Sequence, residues 1–233
     1  MLNIYKKSGE TMEQLIQRIK KEHNLKKLCY TARLDPMAKG IVPILTNDLC
    51  LKINDYFNTN KNYQVKIIFG IQTDTDDPLG IITKIENVDI EIFNNNYKSV
   101  IDYLNLINNT SFLQKYHYYS TKMLNHRKQK STNIVDSHTV SLNNYEIIKT
   151  GIYDYKLWNK KIIDKINSID ISKNFRQNDI ITQWNNLILH QLYYIKINLN
   201  VSSGFFVRQL IRDISDNVKF PLLCYNINRT IIC

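Results

Sequence analysis

The segment Tyr30-Thr-Ala-Arg-Leu-Asp-Pro-Met-Ala-Lys-Gly40 holds the best candidate for chemistry in this chain. Pro36 biases Asp35 away from the helical region and toward an extended backbone, and Gly40 can take up a geometry that other residues resist. A carboxylate pinned in a rigid loop beside Arg33 could act as a nucleophile or as a general base. On these residues alone an Asp-Pro in a loop is more often only a turn. Three other groupings share the same character. Lys61-Asn-Tyr63 leads to Phe69-Gly70 and then to Thr73-Asp74-Thr75-Asp76 and Gly80. Tyr119-Ser120-Thr121-Lys122 lies in an aromatic and basic stretch, Lys115–Arg127. Ser203-Gly204-Phe205-Phe206-Val207-Arg208 joins a strand pattern to a helix pattern.

The elements that must position these residues are legible in outline. Leu2–Lys6 alternates as a strand, and Thr11 with Gln14 forms a capping-box signature ahead of a helix whose buried face is Met12, Leu15, Ile16 and Ile19. A loop is expected over Tyr30 to Gly40, then a strand at Ile41–Leu45. Asn47 is expected to cap a second helix, with Leu51 and Phe57 on its buried face. Tyr63–Phe69 reads as a strand, followed by a polar loop, a strand from Ile81 and a helix around Tyr97–Ile107. Strand Leu192–Val201, a turn at Ser202-Ser203-Gly204 and a helix from about Phe205 to Asn217 close the pattern. Between them, about 150–187, the pattern weakens, which is read as a partly helical insertion. Hairpin-joined strands with irregularly placed helices indicate an α+β fold with a mixed, mainly antiparallel sheet.

Composition bounds the function. The chain has 233 residues, long enough for one sizeable core, and a formal net charge of +10, which favours a polyanionic partner. Its richness in Asn, Ile, Lys and Tyr, types with AT-rich codons, means that surface lysines can also accumulate by drift. No membrane-length apolar run is present, and charges in MLNIYKKSGE interrupt any leader, so an intracellular, cytoplasmic protein is expected. Four cysteines lack a C-x-x-C pair, the five histidines lack ligand spacing, and a chain with six glycines has no phosphate-cradling loop. Metal, disulfide and nucleotide readings are therefore set aside, and no cofactor is expected.

The string ARLDPMAKG resembles the GRLDP-x-ATG motif of the TruB family of tRNA pseudouridine synthases. Lys61-Asn-Tyr63 through Gly80 is similar to that family's K-x-Y…G…TDT-x-D-x-x-G block, Tyr119–Lys122 to its YSA(x)K segment, and Ser203–Arg208 to its KGTYIR motif. The blocks come in family order and span nearly all of the ordered pattern. The resemblance implies a pseudouridine synthase fold, one catalytic domain over 1–233 with the insertion at about 150–187, and no C-terminal PUA domain. It implies Asp35 as the catalytic aspartate, Tyr63 as the aromatic packed on the target base, and Arg208 as the partner of the aspartate. Substrate-binding roles fall to Tyr30, Lys61, Phe206, Ile227, Lys122 and Arg229, with Lys39, Lys115, Tyr116 and Tyr118 as further RNA contacts. The implied substrate is tRNA, most simply its T-loop uridine, which must be flipped out of folded RNA. The reaction breaks the C1′–N1 bond and rejoins uracil through C5, so it needs neither redox nor ATP. A monomer is expected.

The chain departs from the family pattern at Tyr30, where histidine is usual, at Ala32 for glycine, and at Phe206 for tyrosine. Two losses of hydrogen-bonding capacity leave a binding-only reading open, that of an RNA chaperone that grips tRNA without chemistry. A third reading is activity on another RNA with a T-loop-like fold.

Overall fold

The computed structural model describes residues 1–56, 58–120 and 137–232. Ten strands and five α-helices are described: β1 (Leu2–Lys6), α1 (Met12–His23), β2 (Leu28–Tyr30), β3 (Lys39–Thr46), β4 (Lys61–Phe69), β5 (Ile71–Thr73), β6 (Ile82–Ile85), α2 (Ile90–Ile107), β7 (Thr110–Lys115), β8 (Ser137–Asp154), α3 (Tyr155–Asn167), α4 (Gln177–Asn186), β9 (Gln191–Val201), α5 (Val207–Val218) and β10 (Leu222–Ile232). Eight strands form one sheet in the order β1-β3-β10-β4-β9-β8-β7, with β2 paired to β3. Among the described strands the β10–β3 pairing is parallel and the others in this sheet are antiparallel, so the sheet is mixed and mainly antiparallel as expected. β5 and β6 form a separate two-stranded sheet.

Strand alternation sends successive side chains to opposite faces, and both faces of the sheet carry a core. On one face Val42, Ile44, Val65, Ile67, Phe69, Ile195, Ile197 and Leu199 pack against α1, α2 and α5. The start of α1 carries the expected capping box between Thr11 and Gln14, and its Met12, Leu15 and Ile19 are buried. On the other face Ile68, Leu192, Tyr194, Leu223 and Tyr225 pack against α3 and α4. Trp158 and Trp184 meet edge to face there, 5.4 Å apart. The stretch at about 150–187 is therefore ordered. Thr150–Asp154 completes β8, and the two helices supply the second hydrophobic layer.

One expectation fails. Asn47–Tyr56 is a 3₁₀ helix broken at Lys52, with no buried residue, and Leu51 is 75% exposed. Asn47 itself sits at φ +50. A 3₁₀ turn eclipses side chains three apart, so an apolar stripe of period 3.6 has no face to occupy. Phe57 lies outside the described residues. Among the described residues no helix is long and apolar enough to cross a membrane.

Candidate active site

Asp35 opens a turn closed by the Ala38 N–H, which donates to the Asp35 carbonyl at 3.1 Å. Buried cations at both ends hold this loop by its backbone. The Lys6 ammonium at the end of β1 donates to the carbonyls of Asp35 (3.0 Å), Pro36 (3.2 Å) and Ala38 (2.7 Å). The Arg229 guanidinium on β10 donates to Ile41 (2.7 Å), Arg33 (3.1 Å) and Ala32 (3.3 Å). Burial pushes Lys6 down to about 8, against the opposing pull of Asp35 and Glu10. Gly40 makes the Arg229 contact possible. At φ +123 it lies so close to β10 that a Cβ there would stand 2.2 Å from the Arg229 carbonyl oxygen.

The Asp35 side chain points at Arg208 in the first turn of α5, with Oδ2 2.9 Å from Nε. The arginine side chain is 8% exposed and the carboxylate 43%, so a ligand can reach Asp35 while Arg208 stays fixed behind it. Arg208 Nη1 donates to the Thr75 carbonyl at 3.1 Å and lies 3.5 Å from Asp77 Oδ2. Asp77 is held in turn by the Thr75 hydroxyl (3.0 Å) and the Leu79 N–H (2.9 Å). Burial pushes the Asp77 carboxyl up to about 6, even with Arg208 drawing it down.

The acidic loop between β5 and β6 thus cradles the arginine, and it is braced from several sides. Asp76 Oδ2 accepts from Arg212 Nε and meets His117 Nε2, each at 2.9 Å. Burial holds His117 down at about 3, so its ring is neutral. The Tyr119 N–H donates to His117 Nδ1, which leaves Nε2 as the donor to Asp76. Asp74 accepts from Arg176 (2.7 Å) and from the Tyr119 hydroxyl (2.9 Å). The Trp184 indole donates to the Pro78 carbonyl at 3.1 Å, and the Ile82 N–H donates to the Gln183 side chain at 2.7 Å. The helix α4 therefore does more than fill a core. Its contacts, with those of Arg176 just before it, fix the loop that fixes Arg208.

A cavity of about 520 Å³, within the range of small-molecule sites, opens over this pair. Its walls include Asp35, Lys61, Tyr63, Phe206, Arg208, Ile227 and Arg229. Tyr63 is buried, and burial raises its phenol above the usual range although Arg229 opposes the shift, so the hydroxyl is neutral. The Lys61 ammonium donates to the Thr59 carbonyl at 2.7 Å, and burial pushes it down to about 8. Gln114 on β7 clamps the Phe206 backbone through both its N–H and its carbonyl (2.8 and 3.1 Å).

Seven of the nine residues expected at the site therefore line one cavity. Tyr30 does not. It sits on β2 against the edge of the first core, with the Arg33 guanidinium 5.5 Å over its ring. Lys122 lies outside the described residues. Arg229 lines the cavity beside Tyr63, and its donor contacts to the Ile41, Arg33 and Ala32 carbonyls hold the loop. Lys39, Lys115, Tyr116 and Tyr118 are not in the lining; Tyr116 stacks on His138, 4.3 Å away, behind Phe206. Reading the sequence alone missed Lys6 and Asp77. The Thr-Asp-Thr-Asp-Asp run marks Asp77's loop, but nothing local marks Lys6.

Comparison with known proteins identifies the family of the chain. A family model described as the N-terminal domain of TruB family pseudouridylate synthases matches residues 20–148. The tRNA pseudouridine synthase B of Mycoplasmoides gallisepticum is 26% identical over 211 residues, 91% of this chain and 80% of that protein. That of Malacoplasma penetrans is 26% identical over 215 residues, 92% of this chain and 76% of that protein. Among solved structures, a Cbf5-Nop10-Gar1 complex is similar in fold, with a TM-score of 0.59 at 14% identity. The match covers 99% of this chain and 48% of that one, so the chain spans about half its length.

Proposed function

The chain belongs to the TruB family of pseudouridylate synthases, and from that membership we propose that it isomerises a uridine of folded RNA to pseudouridine, the T-loop uridine of tRNA in the first instance, with Asp35 as the reacting carboxylate. The single observation that carries the assignment of Asp35 is its ion pair with buried Arg208 at the mouth of the Tyr63 cavity. The reaction breaks the C1′–N1 bond, turns the uracil and joins C1′ to C5. The C5 proton is released and N1 gains one, so atoms balance without a cofactor. Arg208 orients the carboxylate and balances its charge in a partly enclosed site. Tyr63 offers an apolar face to the base and a neutral hydroxyl. Phe206 and Ile227 complete the apolar wall that a flipped pyrimidine would meet, which offsets part of the few kcal/mol that extrusion costs.

The test pairs the protein and its Asp35→Asn variant with an unmodified tRNA transcript, mapping pseudouridine by carbodiimide adduct and primer extension. One stop at the T-loop uridine, present with the parent and absent with the variant while binding persists, is the expected result. Tight binding without product from the parent would make the protein a chaperone, and a stop in another transcript would move the substrate.

A further inference from the structure

The face of the sheet opposite the cavity carries a row of lysines that the proposed chemistry does not use. Lys66 on β4 pairs directly with Lys196 on β9, and Lys196 pairs directly with Lys149 on β8. Directly opposed residues of neighbouring strands share a face, so three ammonium groups stand side by side across three strands. That face is not the catalytic one. On β4 the alternate residues Tyr63, Val65 and Ile67 belong to the core beneath the cavity, and Lys66 points the other way. Lys161 and Lys165 of α3 and Lys39 of β3 close on the same row, near enough that these lysines lower one another's proton affinity. Lys165, pushed down mainly by burial with the repulsion adding to it, falls to about 8.

Like charges directly opposite one another on a sheet are destabilising, and here no ion pair offsets them. None of the six lysines forms a salt bridge among the described residues. Lys66 instead donates to the Tyr153 hydroxyl at 2.5 Å and lies 5.4 Å from the Tyr194 ring, and Lys165 lies 5.0 Å from the Tyr225 ring. Next to the row the same face carries amide side chains, Asn62 bonded to Asn200 and Gln64 to Asn198, and one acid, Glu146 of β8, which accepts from Asn198 at 3.1 Å rather than from a lysine. A regular polyanion with closely spaced charges would relieve the repulsion at every position, and the chain's net charge of +10 favours its approach.

We propose that the lysine row formed by Lys66, Lys149 and Lys196, extended by Lys39, Lys161 and Lys165, is a second RNA-binding surface that grips the sugar-phosphate backbone of substrate RNA outside the segment entering the cavity. The proposal rests on the reading that the substrate is a folded RNA. Its contacts are with phosphate and carry no base specificity. A large RNA reaches both faces of the sheet, whereas a short stem-loop seated in the cavity reaches only one.

The decisive variant changes Lys149, Lys161 and Lys196 together to glutamine and leaves Lys66 and Lys165, with their ring contacts, in place. Binding to a full-length tRNA transcript is measured by fluorescence anisotropy over a salt series, beside binding and turnover of an isolated stem-loop carrying the target uridine. The variant is expected to bind the full transcript at least tenfold more weakly at low salt. The slope of log K against log salt should be shallower by about two to three, since each lost contact releases roughly one counterion fewer. Stem-loop binding and turnover should be unchanged. Thermal unfolding should be no earlier than in the parent, because repulsion has been removed.

An equal loss on the stem-loop would place these lysines along the cavity's own substrate track and overturn a separate surface. Unchanged binding to both RNAs would overturn it as well. So would loss of binding to vesicles containing phosphatidylserine with RNA binding intact, which would assign the row to a membrane. Pseudouridine formation by the parent is scored in parallel. If it is absent while the binding difference holds, the enzymatic reading fails and the second surface stands.

Discussion

Lys6→Met removes an ammonium that never meets solvent and keeps most of the side chain's length. Two effects on stability oppose each other. The fall of Lys6 from 10.5 to about 8 on burial corresponds to roughly 3 kcal/mol acting against folding at neutral pH, and methionine relieves it. Against this, the carbonyls of Asp35, Pro36 and Ala38 lose a donor. Asp35 keeps the Ala38 N–H and Pro36 keeps the Gly9 N–H, so chiefly the Ala38 carbonyl is orphaned, at about 1–3 kcal/mol. Net stability should change by less than about 2 kcal/mol, read from urea midpoints at an unchanged slope. Turnover should fall far more. Release of the loop shifts Asp35 against Arg208, and about 1 Å of misplacement costs roughly a hundredfold. The pH dependence separates the two effects. Between about pH 8 and 10.5 the unfolded chain holds the Lys6 proton and the fold does not, so parent stability gains from rising pH through this window. Single-turnover rates should decline around pH 8, where the folded clamp loses its charge, and Lys6→Arg should move that decline upward. A Lys6→Met protein that folds and turns over at the parent's rate would refute the clamp.

Arg208→Lys keeps a positive charge but cannot reach Asp35, Thr75 and Asp77 together; kcat should drop at least a hundredfold while transcript affinity stays within a few-fold, measured by single-turnover assay and anisotropy. Asp77, raised to about 6 by burial, should give the rate an acid limb near that pH as protonation frees Arg208, and Asp77→Asn should abolish the limb along with most of the rate. Because its folded pKa lies above the unfolded value, Asp77 contributes stability at low pH that is lost as pH rises through 6. Trp184→Ala should cost about 3–5 kcal/mol by emptying the second core and should also slow turnover, since Trp184 is tied to Pro78 in the loop that cradles Arg208. A pure stability loss with the full rate in the folded fraction would show that this bracing does not reach the site.

The sequence alone determined the parts that are local. Thr11 and Gln14 announce a helix start because a capping box is made within four residues. Alternation places β1, β4 and β9 within a residue or two of their observed ends, and the Asp35, Tyr63 and Arg208 motifs converge on one cavity. Where local signals compete, they mislead. Asn47 takes a left-handed conformation instead of capping an α-helix, and the 3₁₀ turns after it leave Leu51 in solvent. The weakly patterned stretch at about 150–187 hides a core whose apolar residues make sense only once Trp158 and Trp184 lie on the sheet. Lys6 and Arg229 look like surface cations in the sequence, and only the tertiary structure turns them inward onto the carbonyls of a distant loop. The lysine row is the extreme case. Lys66, Lys149 and Lys196 are far apart in the chain, and it is strand register that aligns them on one face, where a slip of one residue would send each to the other.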